Sequence, residues 1–280
     1  SSVAQINLIV DNVLASLLGE RRVTWLYYSD RLMEFPLGVF GIALATVILP
    51  SLARNVTRQD TAVFSATLDW ALRLVVLIAL PATLGLALLA GPLVVTLFYG
   101  GAFNGFDVQM ARASLWAFSG GLLAFIGVKV LVPGFFARQD MRTPVKIGLI
   151  ALAVNFVLNL LFIWILMRLG SDATHAGLAL ATTCAAFVNA GLLFIVLRRR
   201  GFVQGLSGWP VFLCRIALAT VALIGFLVWL TPALDWWLTT TVSSRVGWLA
   251  LLVGGGAAVY AVVLVIAGLR PHHLRLATSA

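Results

Sequence analysis

YYSDRLMEFPLGVFGIALATVILPSLARN, residues 27–55, opens with the polar triplet Ser29, Asp30 and Arg31, then runs apolar, broken by Pro36 and ended by Pro50. About twenty such residues in helix cross a hydrocarbon core, so the stretch reads as a membrane helix. Its charge is out of place there, because an ionisable group at membrane depth is expensive and marks a functional position. A helix starting at Leu32 would leave Arg31 at the outer boundary. Trp25, Leu26, Tyr27 and Tyr28 make a better interfacial start, which puts Arg31 about 9 Å inside at 1.5 Å per residue. There it lines a water-filled cavity, and its planar fork of five donors matches a phosphate. Asp30 and Glu34 are near enough in sequence to balance it when no anion is bound.

The rest of the chain is as apolar as that stretch. Of 280 residues 61% are hydrophobic and 10% charged, and the mean hydropathy is +1.05. This composition excludes a soluble domain and implies an all-α integral membrane protein, since the alternating ten-residue segments of a barrel are absent. Eight candidate spans follow: residues 3–19, 25–53, 68–90, 110–136, 145–167, 176–197, 210–230 and 246–269. The formal charge of +9 sits mostly at span ends, which points to topology signals or lipid headgroup contacts and not to nucleic acid. Cys184 and Cys214 lie in apolar helices without metal spacing.

Basic residues alternate between rich and poor sides. One side holds Arg54 and Arg58, then Arg138, Arg142 and Lys146, then Arg198, Arg199 and Arg200, then Arg270 and Arg275. The other holds Arg21, Arg22, Arg31, Arg112, Arg168 and Arg245, diluted by Glu20, Asp30, Asp107 and Asp172. The richer side is cytoplasmic, and an even number of spans leaves both ends of the chain there. Trp236, Trp237 and Trp248 then fall at the outer interface. Residues 91–107 read as a re-entrant or interfacial segment, and residues 57–69 as an amphipathic stretch on the inner surface. The joint around residues 198–209 divides a six-helix unit, residues 1–200, from two further helices, residues 201–280. The chain opens on an apolar segment without Met or a signal peptide, and the expectation is a fragment or one half of something longer.

Several polar residues fall inside the spans. Asn7 and Asp11 are four apart and share a helix face, as do Asn155 and Asn159, while Thr182, Thr183 and Asn189 lie in the sixth span. Carboxylate, amide and hydroxyl oxygens suit Na⁺ or another hard cation; the alternative is hydrogen bonding between helices. Lys129 is about 14 Å of helix from Arg138, too far to snorkel to the inner surface, and should face a polar cavity or a carboxylate. Gly254, Gly255 and Gly256 permit close helix packing or a kink. His272 and His273 lack a metal-binding partner, and no catalytic constellation appears, so the chain is not expected to be an enzyme.

The string from Tyr27 to Arg54, together with LDWALRLVVLIALPATLGL (68–86), KVLVPGFFARQDMRTPVKIG (129–148) and HAGLALATTCAAFVNAGLL (175–193), resembles the MurJ (MviN) lipid II flippases of the multidrug/oligosaccharidyl-lipid/polysaccharide exporter superfamily. The likeness covers nearly the whole chain. It implies a two-lobe transporter of the bacterial cytoplasmic (inner) membrane that moves lipid II, an undecaprenyl-pyrophosphate-linked sugar peptide, by alternating access. This chain would be the second six-helix lobe plus two helices forming a groove for the lipid tail, with the N-terminal lobe missing. By the resemblance, Arg31 matches the cavity arginine of the family's YADR-type motif and would contact the pyrophosphate; Asp30, Glu34 and Lys129 stand with it as candidate substrate-binding residues on their placement in the sequence. Some members hold Na⁺ at positions matching Asp11, Asn155, Asn159 and Thr182 or Thr183, and Asn159 stands where such members carry a second acid.

Two rival functions remain on the sequence. A cation-coupled exporter of drugs or other polyprenyl-linked sugars would bind small cations in place of lipid II. A non-transporting membrane scaffold would tolerate joint neutralisation of Asp11, Arg31 and Lys129.

Overall fold

The computed structural model describes residues 2–57, 60–203 and 208–269, without the side chains of residues 2–8, 20, 55 and 57. Arg58, Arg270, His272, His273, Arg275 and the Asn7 side chain therefore lie outside the described residues. Among the described residues the regular structure is helical apart from one isolated bridge between Gly100 and Phe103. Its helices are α1 (Ser2–Leu18), α2 (Glu20–Pro36), α3 (Ala43–Thr57), α4 (Thr61–Leu88), α5 (Ala90–Phe98) and α6 (Gly105–Ser119). They continue as α7 (Leu122–Phe136), α8 (Arg142–Arg168), α9 (Ala176–Arg199), α10 (Trp209–Leu230), α11 (Leu234–Thr239) and α12 (Val242–Ile266). Among the described residues, six stretches are long and apolar enough to cross a membrane: Arg21–Arg54, α4, α8, α9, α10 and α12. With the bent pair α6–α7 and the shorter α1, they account for the eight segments expected.

The decisive stretch is one span with a defect in its middle. α2 and α3 are joined by a π-helical segment, Leu37–Ile42. Pro36 has no N–H to give the Leu32 carbonyl, and the wider π turn absorbs that missing bond. Helix continues through Pro50 to Thr57, so Pro50 does not end it. The 40° break between α6 and α7 falls at Gly120 and Gly121, where Gly121 N–H reaches Phe118 O, one residue short of the α-helical partner. The Ala117 carbonyl released by that step accepts from Thr183 Oγ1 at 2.8 Å.

The expected inner-surface stretch and the expected re-entrant or interfacial segment both pack into the bundle. α4 starts at Thr61, N-capped by the Asp60 carboxylate on Val63 N–H at 2.9 Å, and Phe64, Ser65, Thr67 and Leu68 are buried. Residues 61–69 are thus the packed first turns of a spanning helix, while residues 58 and 59 lie outside the described residues. Residues 91–107 form α5, with Gly91, Pro92, Val94 and Val95 buried, then a turn into α6. There the Asn104 side chain and Asp107 form a reciprocal capping box.

Buried side chains fall into two clusters. One joins α1–α4 with α7, α8 and α9; the other joins α5, α6, α10, α11 and α12 around Trp25 and Trp237. α10 and α12 therefore share a core with the six-helix unit. Tyr260 of α12 donates to Leu77 O of α4 at 3.0 Å, and Trp209 Nε1 of α10 donates to Asp69 Oδ1 of α4 at 2.6 Å. The glycine run lets α12 lie directly on α10: a Cβ on Gly255 would stand 2.7 Å from Phe226 Cζ, and one on Gly256 3.0 Å from Leu223 Cδ1.

Two of the expected aromatic anchors, Trp25 and Trp237, are buried, while Trp236 and Trp248 are partly exposed and Tyr27 is exposed. Trp25 is buried, donating from Nε1 to Asp107 Oδ1 at 2.9 Å and packing on His175 with ring centroids 4.8 Å apart. Trp237 is fully buried, edge-on to Trp236 at 5.2 Å. Both rings are drawn into helix packing, and of the two indole N–H groups Trp25's finds an acceptor while Trp237's has none among the described residues.

Candidate functional site

α2 begins at Glu20, so Arg31 stands eleven residues, about 16 Å of rise, along the helix. Its side chain is exposed, with the Arg31 Cζ 4.9 Å from the Tyr27 ring centroid. Arg31 Nη1 donates to Glu34 Oε2 at 2.6 Å. Of the two acids expected to balance it, Glu34 does so, while Asp30 makes no hydrogen bond or ion pair with Arg31 among the described residues. The neighbouring Ser29 is fully buried, its hydroxyl against Trp25 O at 2.8 Å and Ala111 O at 2.7 Å. Ser29 thereby seats α2 on α6 and turns Arg31 to the opposite side.

That side opens on a cavity of about 1010 Å³. α2 and the π segment form one wall through Phe35, Pro36 and Phe40, α4 and α5 contribute Pro81, Leu86 and Leu93, and α10 and α12 close it with Leu227 and Ala257. Among the described residues that line it, Arg31 is the one charged side chain. The result is a long apolar trough with a guanidinium on its wall. The two C-terminal helices supply much of its surface, a contribution that no single motif announces.

A second constellation brings together residues far apart in sequence. Asn159 Nδ2 donates to Asp11 Oδ1 at 2.7 Å and to Asn155 Oδ1 at 3.0 Å. Asn155 Nδ2 donates to Thr182 Oγ1 at 3.1 Å, and Thr182 Oγ1 donates to Asp11 Oδ2 at 2.9 Å. Four side chains from α1, α8 and α9 thus close a ring. Asn155 and Asn159 are buried, and Asn159 Oδ1 has no hydrogen-bond partner among the described residues. Thr183 is outside the ring, because its hydroxyl is committed to the α6–α7 break. Asn155 and Thr182 also line a smaller cavity of about 360 Å³ with Asn189 and Lys129. Lys129 lines that cavity, whose wall is mostly apolar apart from Asn155, Thr182 and Asn189; its stem lies against Gly41 of the π segment, and no ion pair to it is present among the described residues.

Sequence reading missed His175, which is fully buried with its Nε2 3.1 Å from Met110 O. It also missed Asp69 and Tyr260, which tie the last two helices to α4. Only the odd placement of polar groups next to apolar runs hinted at any of them.

These features meet in a known family. The family model described as lipid II flippase MurJ matches residues 1–246. The chain belongs to the MurJ lipid II flippase family. A relative from Vibrio cholerae, named a probable lipid II flippase MurJ, is 43% identical over 99% of this chain and 52% of its own length. One from Haemophilus influenzae with the same name is 44% identical over 98% of this chain and 53% of its own. The lipid II flippase MurJ of Burkholderia cenocepacia is 41% identical over 84% of this chain and 44% of its own. The chain spans about half the length of these curated relatives. A solved structure, "Lipid II flippase MurJ, inward closed conformation", shares the fold with a TM-score of 0.75 at 23% identity, over 94% of this chain and 51% of that one. Family members are membrane transporters, and the spanning helices here agree with that class.

Proposed function

We propose that this chain is the C-terminal portion of a flippase that carries lipid II from the inner to the outer leaflet of the bacterial cytoplasmic membrane. The observation that carries the proposal is Arg31 on the wall of the large apolar cavity. An amphiphile with an anionic pyrophosphate and a polyprenyl tail matches that pairing of one guanidinium with a hydrocarbon surface. Arg31 binds phosphate oxygens through its planar fork, and Glu34 holds the guanidinium in place until the anion displaces it. Residues 201–280 serve as the groove for the tail, and residues 1–200 as one of two lobes that rock about the headgroup. The absent partner is an N-terminal lobe with its own cationic groups. Both ends of the chain lie on the cytoplasmic side, in line with the basic joints. No bond of the substrate changes, so the protein needs no catalytic residues.

The ring around Asp11 fits a Na⁺ ion. Its oxygens are hard donors, it carries one carboxylate for one positive charge, and the orphaned Asn159 Oδ1 is a buried acceptor of the kind a cation satisfies. Asp11, Asn155, Asn159 and Thr182 would hold the ion, which would supply charge compensation across α1, α8 and α9. Membrane lipids surround the exposed apolar faces.

The test is translocation of lipid II into vesicles by the full-length protein carrying Arg31→Ala or Arg31→Lys. Loss in the Ala form with partial activity in the Lys form supports the reading. Wild-type transport by the Ala form overturns it. Transport of drugs without lipid II binding would instead establish the exporter.

A further inference from the structure

The richest concentration of unused positive charge lies where the α7–α8 joint meets the end of α9. Gly201 takes φ +76°, a conformation that side chains with a Cβ disfavour, and Phe202 N–H returns to Leu197 O at 3.0 Å. This αL cap folds Phe202 back onto Phe64, with ring centroids 5.7 Å apart. Arg138 is laid over both rings, its Cζ 3.5 Å from the centroid of Phe202 and 5.0 Å from that of Phe64. Arg138 Nε is buried with no hydrogen-bond partner among the described residues.

A second guanidinium stands beside it. Arg200 has its Cζ 5.6 Å from the Phe135 ring, donates from Nη1 to Asp140 Oδ2 at 2.7 Å and from Nη2 to Thr143 Oγ1 at 3.1 Å. Asp140 is the sole acid of the two joints, against Arg138, Arg142, Lys146, Arg198, Arg199 and Arg200. Its oxygens are already occupied, since Thr143 donates its N–H at 3.0 Å and its hydroxyl at 2.6 Å. Those Thr143 bonds first, then Arg200, hold the Asp140 carboxyl at about 2, so it stays ionised and committed. Burial, and then the Arg200 charge, press Arg138 below the usual guanidinium value. A partly buried guanidinium with no ion-pair partner among the described residues, next to another guanidinium, calls for an anion.

We infer that Arg138 and Arg200 form a binding site for the phosphodiester headgroup of an anionic membrane phospholipid. The aromatic supports fix both planar groups before the ligand arrives, which lowers the ordering cost of binding. The surroundings select a lipid over a soluble phosphate: Phe136, Met141, Val145, Leu149 and Ile195 are exposed apolar side chains on the adjoining helix ends, where acyl chains lie. Arg142, Lys146, Arg198 and Arg199, all exposed, add the longer-range field that draws anionic lipid to a basic helix joint.

The experiment titrates the full-length protein with phosphatidylglycerol and, separately, phosphatidylcholine, and reads lipid adducts by native mass spectrometry. Arg138→Gln and Arg200→Gln should each weaken the tightest phosphatidylglycerol adduct by about tenfold or more, as loss of a charge-assisted hydrogen bond predicts. Arg54→Gln, which removes an exposed cation at the end of α3, should leave it unchanged, and phosphatidylcholine should show no comparable adduct. Arg200 is at the surface, so Arg200→Gln keeps the test open if Arg138→Gln fails to fold. Equal weakening by Arg54→Gln, or full retention by the double variant, overturns the site. Displacement of the lipid by millimolar inorganic phosphate overturns the choice of a lipid in favour of a free anion.

Discussion

Asn159 Nδ2 lies 2.7 Å from Asp11 Oδ1, joining the spanning helix α8 to the shorter α1 through the Asp11 carboxylate. The contact neutralises nothing; it only supplies one donor to a charge. Adding a second carboxylate there should strengthen cation binding at a pH high enough to keep both ionised, because two like charges in one ring are relieved by a bound cation or by uptake of a proton. Asn159→Asp is therefore expected to show a larger rise in melting temperature on exchanging choline for Na⁺ than the wild type, and Asp11→Asn none. At a hundredfold excess over Kd, binding to the folded state stabilises by about 2.7 kcal/mol, enough to read in a thermal unfolding series.

Replacing Arg31 by Ala should reduce lipid II translocation by about tenfold to a hundredfold, the worth of charge-assisted hydrogen bonds of about 1.5–3 kcal/mol. Arg31→Lys should retain part of the activity, because the charge survives and the fork does not. Glu34→Gln should tighten headgroup binding by removing the competing carboxylate at 2.6 Å. Vesicle translocation and lipid II binding measured side by side separate the two effects.

Ala257 lines the trough, and Ala257→Trp should fill it at the level of α12. The expected outcome is loss of lipid II transport with the melting temperature kept within a few degrees. Unchanged transport would remove the trough from the lipid's route.

Asp69 binds both Trp209 Nε1 at 2.6 Å and Arg73 Nε at 2.8 Å. Asp69→Ala strips Trp209 of its acceptor, and should destabilise the protein by about 1.5–3 kcal/mol. Trp209 should become more accessible to aqueous quenchers. Tyr260→Phe, which removes the bond to Leu77 O, should act at the same interface and cost about 1 kcal/mol.

His175 sits just before the spanning part of α9, and burial lowers its pKa from 6.5 to about 4. The neutral form is the one that folds, so an unfolded chain takes up a proton at a higher pH than the native one. Stability contributed by the neutral ring is full above pH 6.5 and is lost as pH falls toward 4, by at most about 3 kcal/mol. Chemical unfolding in detergent across that range should show the slope in wild type and a reduced slope in His175→Gln.

How much of this was legible depended on what each residue needs. Apolar runs bounded by basic joints announced helices and their number, because a chain in lipid must satisfy its backbone internally. The four-residue spacing of Asn155 and Asn159 placed them on one face of α8. Nothing in that spacing said that Asp11, 148 positions from Asn159, would meet them, nor that Thr182 would join the ring while its neighbour Thr183 capped a broken helix. Trp25 misled in the other direction: next to Tyr27 and Tyr28 it looked interfacial, yet its indole N–H found the carboxylate of Asp107 in a different helix.

By itself the sequence determined an all-helical membrane protein, its family, and the few polar residues that could matter, since these follow from composition, local periodicity and long matching strings. The tertiary structure alone decided which of them share a site. Side-chain partnerships across helices depend on rotation and depth, and those are set by packing: the π turn after Pro36, the bend at Gly121 and the seat of Ser29 on Ala111 O. Arg31 is recognisable in the sequence as an awkward charge, but only the packing of α10 and α12 beside it gives that charge an apolar trough to serve.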